Sequence, residues 1–219
     1  VCGRVAPTPS GRIHLGNILC AMLSWLSVRS KNGRYWLRIE DLDAMRCPRS
    51  LADLIEDDLK WFGIDWADGG SAGGDPWYQS CRTAIYDRYF DVLKDKGLLY
   101  PCFCSRAELH TAQAPHRSDG TYIYAGTCRN LTPEQIAEKS KRRPPAWRVR
   151  VPEREMSFTD GCQGVYTENL AHDCGDFIIR RSDGVYGYQL AVVVDDGLMG
   201  VTEVVRGSDL LNSTPRQMY

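Results

Sequence analysis

Short apolar stretches and longer amphipathic segments alternate along the N-terminal half of the chain. Val5 and Ala6 close a predicted strand, because the prolines and the glycine of residues 7–11 prevent its continuation as strand or helix. The apolar run that follows, residues 18–28, predicts a helix that begins near Ile13. The chain is therefore expected to open with a strand, a tight turn and a helix.

The same alternation repeats further along the chain. Residues 34–40 are rich in aromatic and branched side chains and predict a second strand. Residues 48–61 predict a helix, because their apolar positions recur at intervals of three and four. A third helix is predicted from a cap at Ser80 to a stop at Gly97. This order predicts an α/β fold, a Rossmann-like parallel sheet with crossover helices.

The segment from residue 100 to 145 interrupts this order, and we interpret it as an insertion between two halves of the sheet. It is polar, carries cysteines, and contains a predicted short helix at residues 133–139. The predicted division is residues 1–99 as the first half of an α/β domain, 100–145 as the insertion, and 146–219 as the remainder of that domain with the second half of the sheet.

Further strands are predicted in the C-terminal part. Residues 147–151 and 156–160 have the alternation of half-buried antiparallel strands. Apolar runs at residues 176–180 and 189–195 are expected to return to the core as strands. Residues 200–207 predict a last strand that ends in a charged residue.

The composition is that of a globular protein with a substantial core. Of 219 residues, 43% are hydrophobic, and 27 Lys and Arg residues balance 28 Asp and Glu residues. This balance argues against a strongly basic nucleic-acid binder, although a local basic face stays open. No apolar stretch approaches the length of a membrane span, no signal-peptide pattern is present, and the cysteines number nine. We expect reduced thiols, a cytoplasmic location and no membrane association.

The predicted strand–turn–helix at the N-terminus suits an anionic ligand. Free backbone N–H groups and the positive end of the helix dipole face whatever lies at the start of the helix. His14 and Asn17 lie in the first turn and add side-chain donors for a phosphate. The alternative is an ordinary capped helix with a surface histidine, since the sequence has neither a Gly-Lys-Ser/Thr phosphate loop nor a Gly-x-Gly-x-x-Gly turn here.

Charged residues at predicted strand ends suit an amino-acid dicarboxylate. Arg4 and Arg206 each lie beside a strand end, and Glu40 closes the second strand. Ligands of open parallel sheets bind beyond the carboxyl ends of the strands, so we expect these side chains to converge on one crevice. The arginines can bind carboxylates and Glu40 can accept from an ammonium, or all three are solvated or ion-paired strand ends. Asp195 and Asp196 are candidates for Mg²⁺ or a ribose, or for capping.

The cysteines of the insertion suggest a metal site. Cys102 and Cys104 form a Cys-x-Cys pair, and a return loop through Tyr124 and Cys128 would complete a tetrahedral zinc site. Two histidines of the loop are alternatives to the tyrosine as fourth ligand: His110 and His116. The other interpretation is three unrelated buried thiols and a packed tyrosine. Ligation by protein side chains alone is typical of a structural metal.

Four segments together resemble the class I glutamyl-tRNA synthetases. In chain order they are Arg4-Val-Ala-Pro-Thr-Pro-Ser-Gly with His14-Leu-Gly-Asn17, Arg38-Ile-Glu40-Asp-Leu-Asp43, Tyr188-Gln-Leu-Ala-Val-Val-Val-Asp-Asp196, and Gly200-Val-Thr-Glu-Val-Val-Arg206-Gly-Ser-Asp-Leu-Leu. The likeness extends to a group of truncated paralogues, the glutamyl-queuosine tRNA(Asp) synthetases. Their Cys-x-Cys and Tyr-x3-Cys zinc pattern is present at Cys102, Cys104, Tyr124 and Cys128.

The resemblance implies activation of glutamate by ATP to glutamyl-adenylate and transfer to the queuosine base of tRNA(Asp). It implies Mg²⁺ with the ATP, one structural Zn²⁺ per chain, queuosine-bearing tRNA(Asp) as partner, and we expect a monomer. The implied glutamate ligands are Arg4, Ala6, Thr8, Glu40, Tyr188 and Arg206. The implied ATP ligands, of which the first and last would be catalytic, are His14, Gly16 and Asn17.

Two departures from the family pattern bear on activity. Asn17 stands where the commonest form of the motif has a second histidine, so it can donate a hydrogen bond but cannot become cationic. The family's second ATP signature is a lysine-containing loop, and no lysine follows Lys141 here. We expect a longer natural chain that ends in such a loop, and severely impaired activation if the natural gene ends at Tyr219.

Two other functions fit the same residues. One is the N-terminal catalytic part of a full-length glutamyl-tRNA synthetase, which has the same chemistry and a different acceptor. The other is a non-catalytic zinc-containing RNA-binding or regulatory paralogue, which the missing lysine loop favours.

Overall fold

A computed structural model describes residues 1–109 and 123–219. The chain forms two compact units. The first unit comprises Val1–Asp87 and Ala191–Leu211, and the second comprises Arg88–Leu190 and Asn212–Tyr219. The first unit is therefore built from two segments that are far apart in the sequence.

A three-stranded parallel sheet in the order β1-β2-β3 lies at the centre of the first unit. Its strands and the two crossover helices are β1 (Cys2–Val5), α1 (Leu15–Arg29), β2 (Arg34–Leu37), α2 (Arg49–Trp61) and β3 (Asp68–Gly69). The parallel sheet with crossover helices is as the sequence predicts. The bounds of β1, α1, β2 and α2 lie within three residues of the predicted ones, whereas β3 is not predicted.

The core of the first unit lies where the two helices cover the sheet. The buried positions of α1 recur every three or four residues, and Ile18, Ala21 and Val28 are among them. Ile55 and Leu59 of α2 are buried in the same apolar cluster. Burying each large side chain contributes about 1.5–3 kcal/mol, so this layer fixes the sheet whose carboxyl ends carry the candidate site.

Three short elements follow β3, namely α3 (Gly70–Gly73) and two 3₁₀ turns (Asp75–Trp77 and Gln79–Cys81), and they lead to the longer helix α4 (Thr83–Asp95). The prediction that Ser80 caps this last helix is wrong. The amides of Ile85 and Tyr86 bond to the Arg82 carbonyl, so the helix begins after Arg82. Ser80 instead donates its hydroxyl to Asp41, at 2.6 Å, because it lies in the preceding 3₁₀ turn.

The second unit contains an antiparallel sheet in the order β4-β5-β8 and a separate hairpin. The strands are β4 (Leu99–Cys102), β5 (Ala146–Val149), β6 (Glu155–Asp160), β7 (Gly164–Asn169) and β8 (Ile178–Arg180), with β6 and β7 forming the hairpin. The antiparallel strands predicted at residues 147–151 and 156–160 are therefore present, each shifted by one or two residues.

The remaining helices of the second unit are short. They are α5 (Arg106–Leu109), α6 (Pro133–Ser140), a π-helical turn (Leu170–Cys174) and α8 (Ser213–Met218). α6 begins where the sequence predicts, because Thr132 and Gln135 form a reciprocal capping box.

Two predicted strands are wrong. The apolar run at residues 189–195 lies in a helix, α7 (Tyr188–Leu198). Five residues of that run are buried, four of them apolar, and a continuous apolar run has no period that separates a strand from a helix. Residues 201–207 form no strand, because Thr202 and Glu203 both donate their amides to one carbonyl, that of Cys2, instead of forming a ladder.

Among residues 1–109 and 123–219, no helix combines the length and the apolar composition that crossing a bilayer requires.

Gly69 is expected to tolerate no side chain. It has a φ of +117°, and a Cβ built there would lie 2.0 Å from the Leu37 carbonyl oxygen of β2. We expect Gly69→Ala to lower the free energy of unfolding by about 2–6 kcal/mol, from backbone strain and overpacking together. Gly63 is the matched control, since its φ is +75° but no atom lies within 4 Å of the built Cβ. Gly63→Ala should cost about 1–2 kcal/mol in urea unfolding, and equal losses would contradict the prediction.

Candidate active site and metal centre

A fully buried arginine lies where β2 ends in the first unit. Arg38 is 0% exposed. Its Nη1 donates to Asp196 Oδ1 at 2.6 Å and its Nη2 donates to Glu40 Oε1 at 3.0 Å. A buried guanidinium is stable only with opposite charge around it, so Arg38 fixes both carboxylates.

Asp196 is shared with a second arginine, Arg4 of β1. The Arg4 side chain is 6% exposed, and its Nε lies 3.2 Å from the same Oδ1 atom that Arg38 contacts. Among the described residues, the Nη1 and Nη2 atoms of Arg4 have no hydrogen-bond partner. The two terminal nitrogens of a buried arginine are thus left for a ligand.

Glu40, like Arg4, is held by the protein through one part of its side chain and leaves another part for a ligand. Its backbone amide donates to the Pro7 carbonyl at 2.9 Å, which joins the end of β2 to the turn after β1. One carboxylate oxygen accepts from Arg38, and the other has no hydrogen-bond partner among the described residues. Burial raises the pKa of the Glu40 carboxyl above its ordinary value, although the charges of Arg38 and Arg4 oppose that shift.

Asp195 has a different role from the one expected. It is 0% exposed and accepts from Arg82 at 2.7 Å, from Gln79 at 2.8 Å and from Tyr86 at 2.8 Å. The hypothesis that it binds Mg²⁺ or a ribose is therefore wrong, because both of its oxygens are enclosed. Asp195 holds the 3₁₀ turn and α4 to α7 inside the first unit.

The sequence analysis assigns no role to Arg38, and it names Asp196 as a candidate for Mg²⁺, a ribose or capping rather than as the partner of two arginines. Arg38 lies two residues before Glu40 in an extended segment, and this spacing places both side chains on one face. That alternation is a signal that could have found Arg38. Asp196 has no comparable signal, since its partner is 158 residues away.

The start of α1 has the predicted features of an anion site. His14 is the N-cap residue, and its Nδ1 accepts from the Asn17 amide at 3.4 Å. His14, Gly16 and Asn17 are all exposed, so the first turn of the helix is open to a ligand. The helix has no acidic residue in its first turn to neutralise its positive end.

The other four predicted glutamate ligands differ in burial and in the unit to which they belong. Ala6 is half-buried and Thr8 is exposed, both in the turn after β1. Arg206 is half-buried and belongs to the first unit, together with Arg4. Tyr188 is the first residue of α7 and belongs to the second unit.

The structure brings three predicted metal ligands of the second unit together. The Sγ atoms of Cys102, Cys104 and Cys128 lie within 4.8 Å of one another. Tyr124 Oη lies 3.4 Å from Cys102 Sγ and 3.6 Å from Cys104 Sγ, and it accepts from the Cys128 amide at 2.9 Å. Three thiols and a phenol around one point are a donor set that suits Zn²⁺. His110 and His116 lie outside the described residues.

Arg148 of β5 lies against the cluster of cysteines and Tyr124, and the sequence analysis assigns it no role. Its guanidinium carbon is 3.7 Å from the centre of the Tyr124 ring. Burial opposes ionisation of the Cys102 thiol, but hydrogen bonding of its sulfur with Tyr124 and with the Cys104 backbone, together with the charge of Arg148, brings its pKa below the ordinary value. Burial and the neighbouring Cys102 raise the pKa of the Cys104 thiol to about 12.

The chain matches one family along its whole length. A family model described as tRNA synthetases class I (E and Q), catalytic domain, matches residues 1–219.

Curated relatives share about half of their aligned residues with this chain. The glutamyl-Q tRNA(Asp) synthetase of Nitratidesulfovibrio vulgaris is 50% identical over 220 residues, which cover 99% of this chain and 68% of the relative. That of Symbiobacterium thermophilum is 50% identical over 224 residues, which cover 100% of this chain and 69% of the relative. That of Neisseria meningitidis serogroup C is 47% identical over 217 residues, which cover 99% and 70%.

Solved structures with the same fold include two synthetases. They are a glutamate tRNA ligase from Elizabethkingia meningosepticum in complex with its amino acid and a glutamate-tRNA synthetase from Elizabethkingia anophelis. Each has a TM-score of 0.86 and 28% sequence identity, and covers 100% of this chain. This chain spans 46% of each of those chains. With the match of the family model to every residue and 47–50% identity to the curated relatives, this chain belongs to the class I tRNA synthetases, in the family of the glutamyl-Q tRNA(Asp) synthetases.

Proposed function

We propose that this protein activates glutamate with ATP to glutamyl-adenylate and transfers the glutamyl group to the queuosine base of tRNA(Asp). The observation that carries the proposal is the buried cluster of Arg4, Arg38, Glu40 and Asp196. Two terminal nitrogens of Arg4 and one oxygen of Glu40 are left without partners there among the described residues. A cation and an anion held in this way suit the carboxylate and the ammonium of an amino acid.

Glutamate would be bound by charge at both ends. Arg4 would take a carboxylate with its two terminal nitrogens, Arg206 the other carboxylate, and Glu40 the ammonium. Hydrogen bonds to charged groups contribute about 1.5–3 kcal/mol each, so these three groups would dominate the affinity. Further contacts with glutamate are assigned to Ala6, Thr8 and Tyr188.

ATP would lie at the start of α1, with His14, Gly16 and Asn17 against its phosphates. One carboxylate oxygen of glutamate then attacks the α-phosphorus, and pyrophosphate leaves with the electron pair of the broken P–O bond. Positioning and electrostatic stabilisation by His14, Asn17 and the helix N-terminus would supply most of the acceleration. Class I synthetases use ATP with Mg²⁺, and this ion would neutralise part of the phosphate charge. In the second step the queuosine base attacks the adenylate carbonyl and AMP leaves.

The cysteine cluster is assigned to one structural zinc ion. Cys102, Cys104, Tyr124 and Cys128 would hold it, and residues 100–145 would form a zinc-binding insertion between residues 1–99 and 146–219 of the catalytic domain. The support is the convergence of three sulfurs and one phenol oxygen, with no further side chain needed to complete four ligands. Four protein ligands leave no open position for a substrate, so the metal would hold the insertion together.

The zinc assignment predicts about one zinc ion per chain in protein purified without added metal. Cys128→Ser should lower this content well below that of the wild type, because a serine hydroxyl is a much weaker zinc ligand than a thiolate. Cys162→Ser is the matched control, since Cys162 is exposed in the hairpin of the same unit and lies outside the cluster. Elemental analysis measures the content. Metal-free wild-type protein would refute the assignment.

The tRNA acceptor distinguishes this function from that of a glutamyl-tRNA synthetase. The structural likeness to the two Elizabethkingia enzymes keeps that second function open. We expect labelled glutamate to be incorporated into tRNA(Asp) that carries queuosine, and not into queuosine-free tRNA(Asp) or tRNA(Glu). The assay uses the protein at its natural length with each tRNA in parallel. Incorporation into tRNA(Glu) alone would overturn the proposed acceptor and keep the activation chemistry.

The raised pKa of Glu40 predicts a pH dependence for glutamate binding. Glu40 accepts from the ammonium only as a carboxylate, so the KM for glutamate should rise as the pH falls through its folded pKa, which lies above the 4.5 of an ordinary glutamate. Glu40→Gln should raise this KM about tenfold or more and abolish its dependence on acid pH, with the KM for ATP unchanged. Glutamate-dependent ATP–pyrophosphate exchange measures both constants. A variant that keeps the wild-type pH profile would exclude this role for Glu40.

A further inference from the structure

The second unit contains a buried cation without a carboxylate partner. Arg148 is 5% exposed. Its Nη1 donates to the Asp176 carbonyl at 2.6 Å, and its Nε has no hydrogen-bond partner in the described part of the chain. Within residues 1–109 and 123–219, no Asp or Glu side chain forms an ion pair with it. Arginine is almost never buried unless paired, so its opposite charge is expected from another group.

The groups on the face of this guanidinium belong to the cysteine cluster. The guanidinium carbon lies 3.7 Å from the centre of the Tyr124 ring, which is close for a cation–π contact. The hydroxyl of the same tyrosine lies 3.4 Å from Cys102 Sγ and 3.6 Å from Cys104 Sγ. Arg148 thus contacts one of the four groups assigned to zinc directly, and that group contacts two of the sulfurs.

Charge counting explains why a cation belongs there. Three thiolates and one Zn²⁺ leave a net charge of −1 when the tyrosine is a neutral ligand, and −2 when it is a phenolate. Cys102, Tyr124 and Cys128 are all buried, so water does little to stabilise this excess. One guanidinium in contact with the ligands offsets it.

We propose that Arg148 is the positioning residue and counter-charge of the metal centre. It packs against the Tyr124 ring and holds it so that the hydroxyl lies beside the sulfurs of Cys102 and Cys104, and it offsets the negative charge of the loaded site. Its bond to the Asp176 carbonyl and its place in β5 fix the plane of the guanidinium. This inference rests on the zinc centre proposed above. Groups that support metal ligands in this way typically change metal affinity by about 10–100-fold.

Zinc affinity tests the proposal directly. We expect Arg148→Met to bind Zn²⁺ about 10–100-fold more weakly than the wild type, in competition with a chromophoric chelator. Arg148→Lys keeps the charge and should recover part of the loss. Arg180→Met is the matched control, because Arg180 of β8 lies in the same unit and also covers aromatic rings, at 5.3 Å from the ring centre of Phe90 and 5.1 Å from that of Tyr186. Its affinity should equal that of the wild type.

A second measurement separates this role from ordinary structural support. The free energy of unfolding is measured for the wild type and both Arg148 variants, once with saturating Zn²⁺ and once with zinc removed. A role confined to the Asp176 carbonyl would lower both values equally. A role toward the metal would reduce the stabilisation that zinc adds, because that stabilisation depends on zinc affinity.

The outcomes are distinguishable from failure of the zinc centre itself. A wild-type protein that binds no zinc overturns the metal centre and this inference together. A wild type that binds zinc, with Arg148→Met of equal affinity, overturns only the role of Arg148. If Arg148→Met does not fold, Arg148→Lys is the test variant. A zinc affinity between those of the wild type and of Cys128→Ser supports the proposal. A zinc affinity equal to that of the wild type, with unchanged zinc-linked stability, contradicts it.

Discussion

A guanidinium with no access to solvent, that of Arg38, sets the arrangement of the first unit. Its two short contacts fix Glu40 and Asp196, and Asp196 in turn holds Arg4. Removing one partner from such a buried network typically costs about 3–5 kcal/mol, because a charge is then left uncompensated. The groups assigned to glutamate are therefore held by a partner that is not itself assigned to glutamate. A charged ligand meets side chains that are already oriented, which lowers the entropy lost on binding.

The two units stabilise a buried arginine in different ways. Arg38 is surrounded by three carboxylates, that of the nearby Glu40 and those of Asp195 and Asp196 from far along the sequence. Arg148 forms no ion pair with a carboxylate among the described residues and lies over the Tyr124 ring, beside the thiols of the cluster. The first arrangement is complete in the protein alone, and the second reaches charge balance only when the thiols are ionised. The stability of the second unit is accordingly expected to depend on what the thiols bind, whereas that of the first unit is not.

How much the sequence predicts depends on how local the determining interaction is. The turn after β1, the capped α6 and the Cys102–Cys104 pair are local patterns, and each is predicted correctly because Pro, Gly, capping residues or spacing determine it. α7 is not predicted, since its apolar run is buried on most sides and has no readable period. The roles of Asp195 and Asp196 are not predicted either, because the partners that enclose them are over a hundred residues away. Strand-end position and family resemblance both nominate Arg4 and Glu40 as glutamate ligands, but neither assigns a role to Arg38, which holds Glu40 directly and Arg4 through Asp196.

The two-segment construction of the first unit has a consequence for the order of synthesis. Cys2 bonds to Thr202 and Glu203, and Arg38 bonds to Asp196, so the N-terminal residues find these partners only after about two hundred residues have been made. Until then Arg38 has Glu40 as a neighbour but neither of the aspartates that follow Val194. Residues 88–190, nearly all of the second unit, precede these partners in the chain, and domains generally fold as units during synthesis. The first unit is therefore expected to be the later of the two to reach its final form.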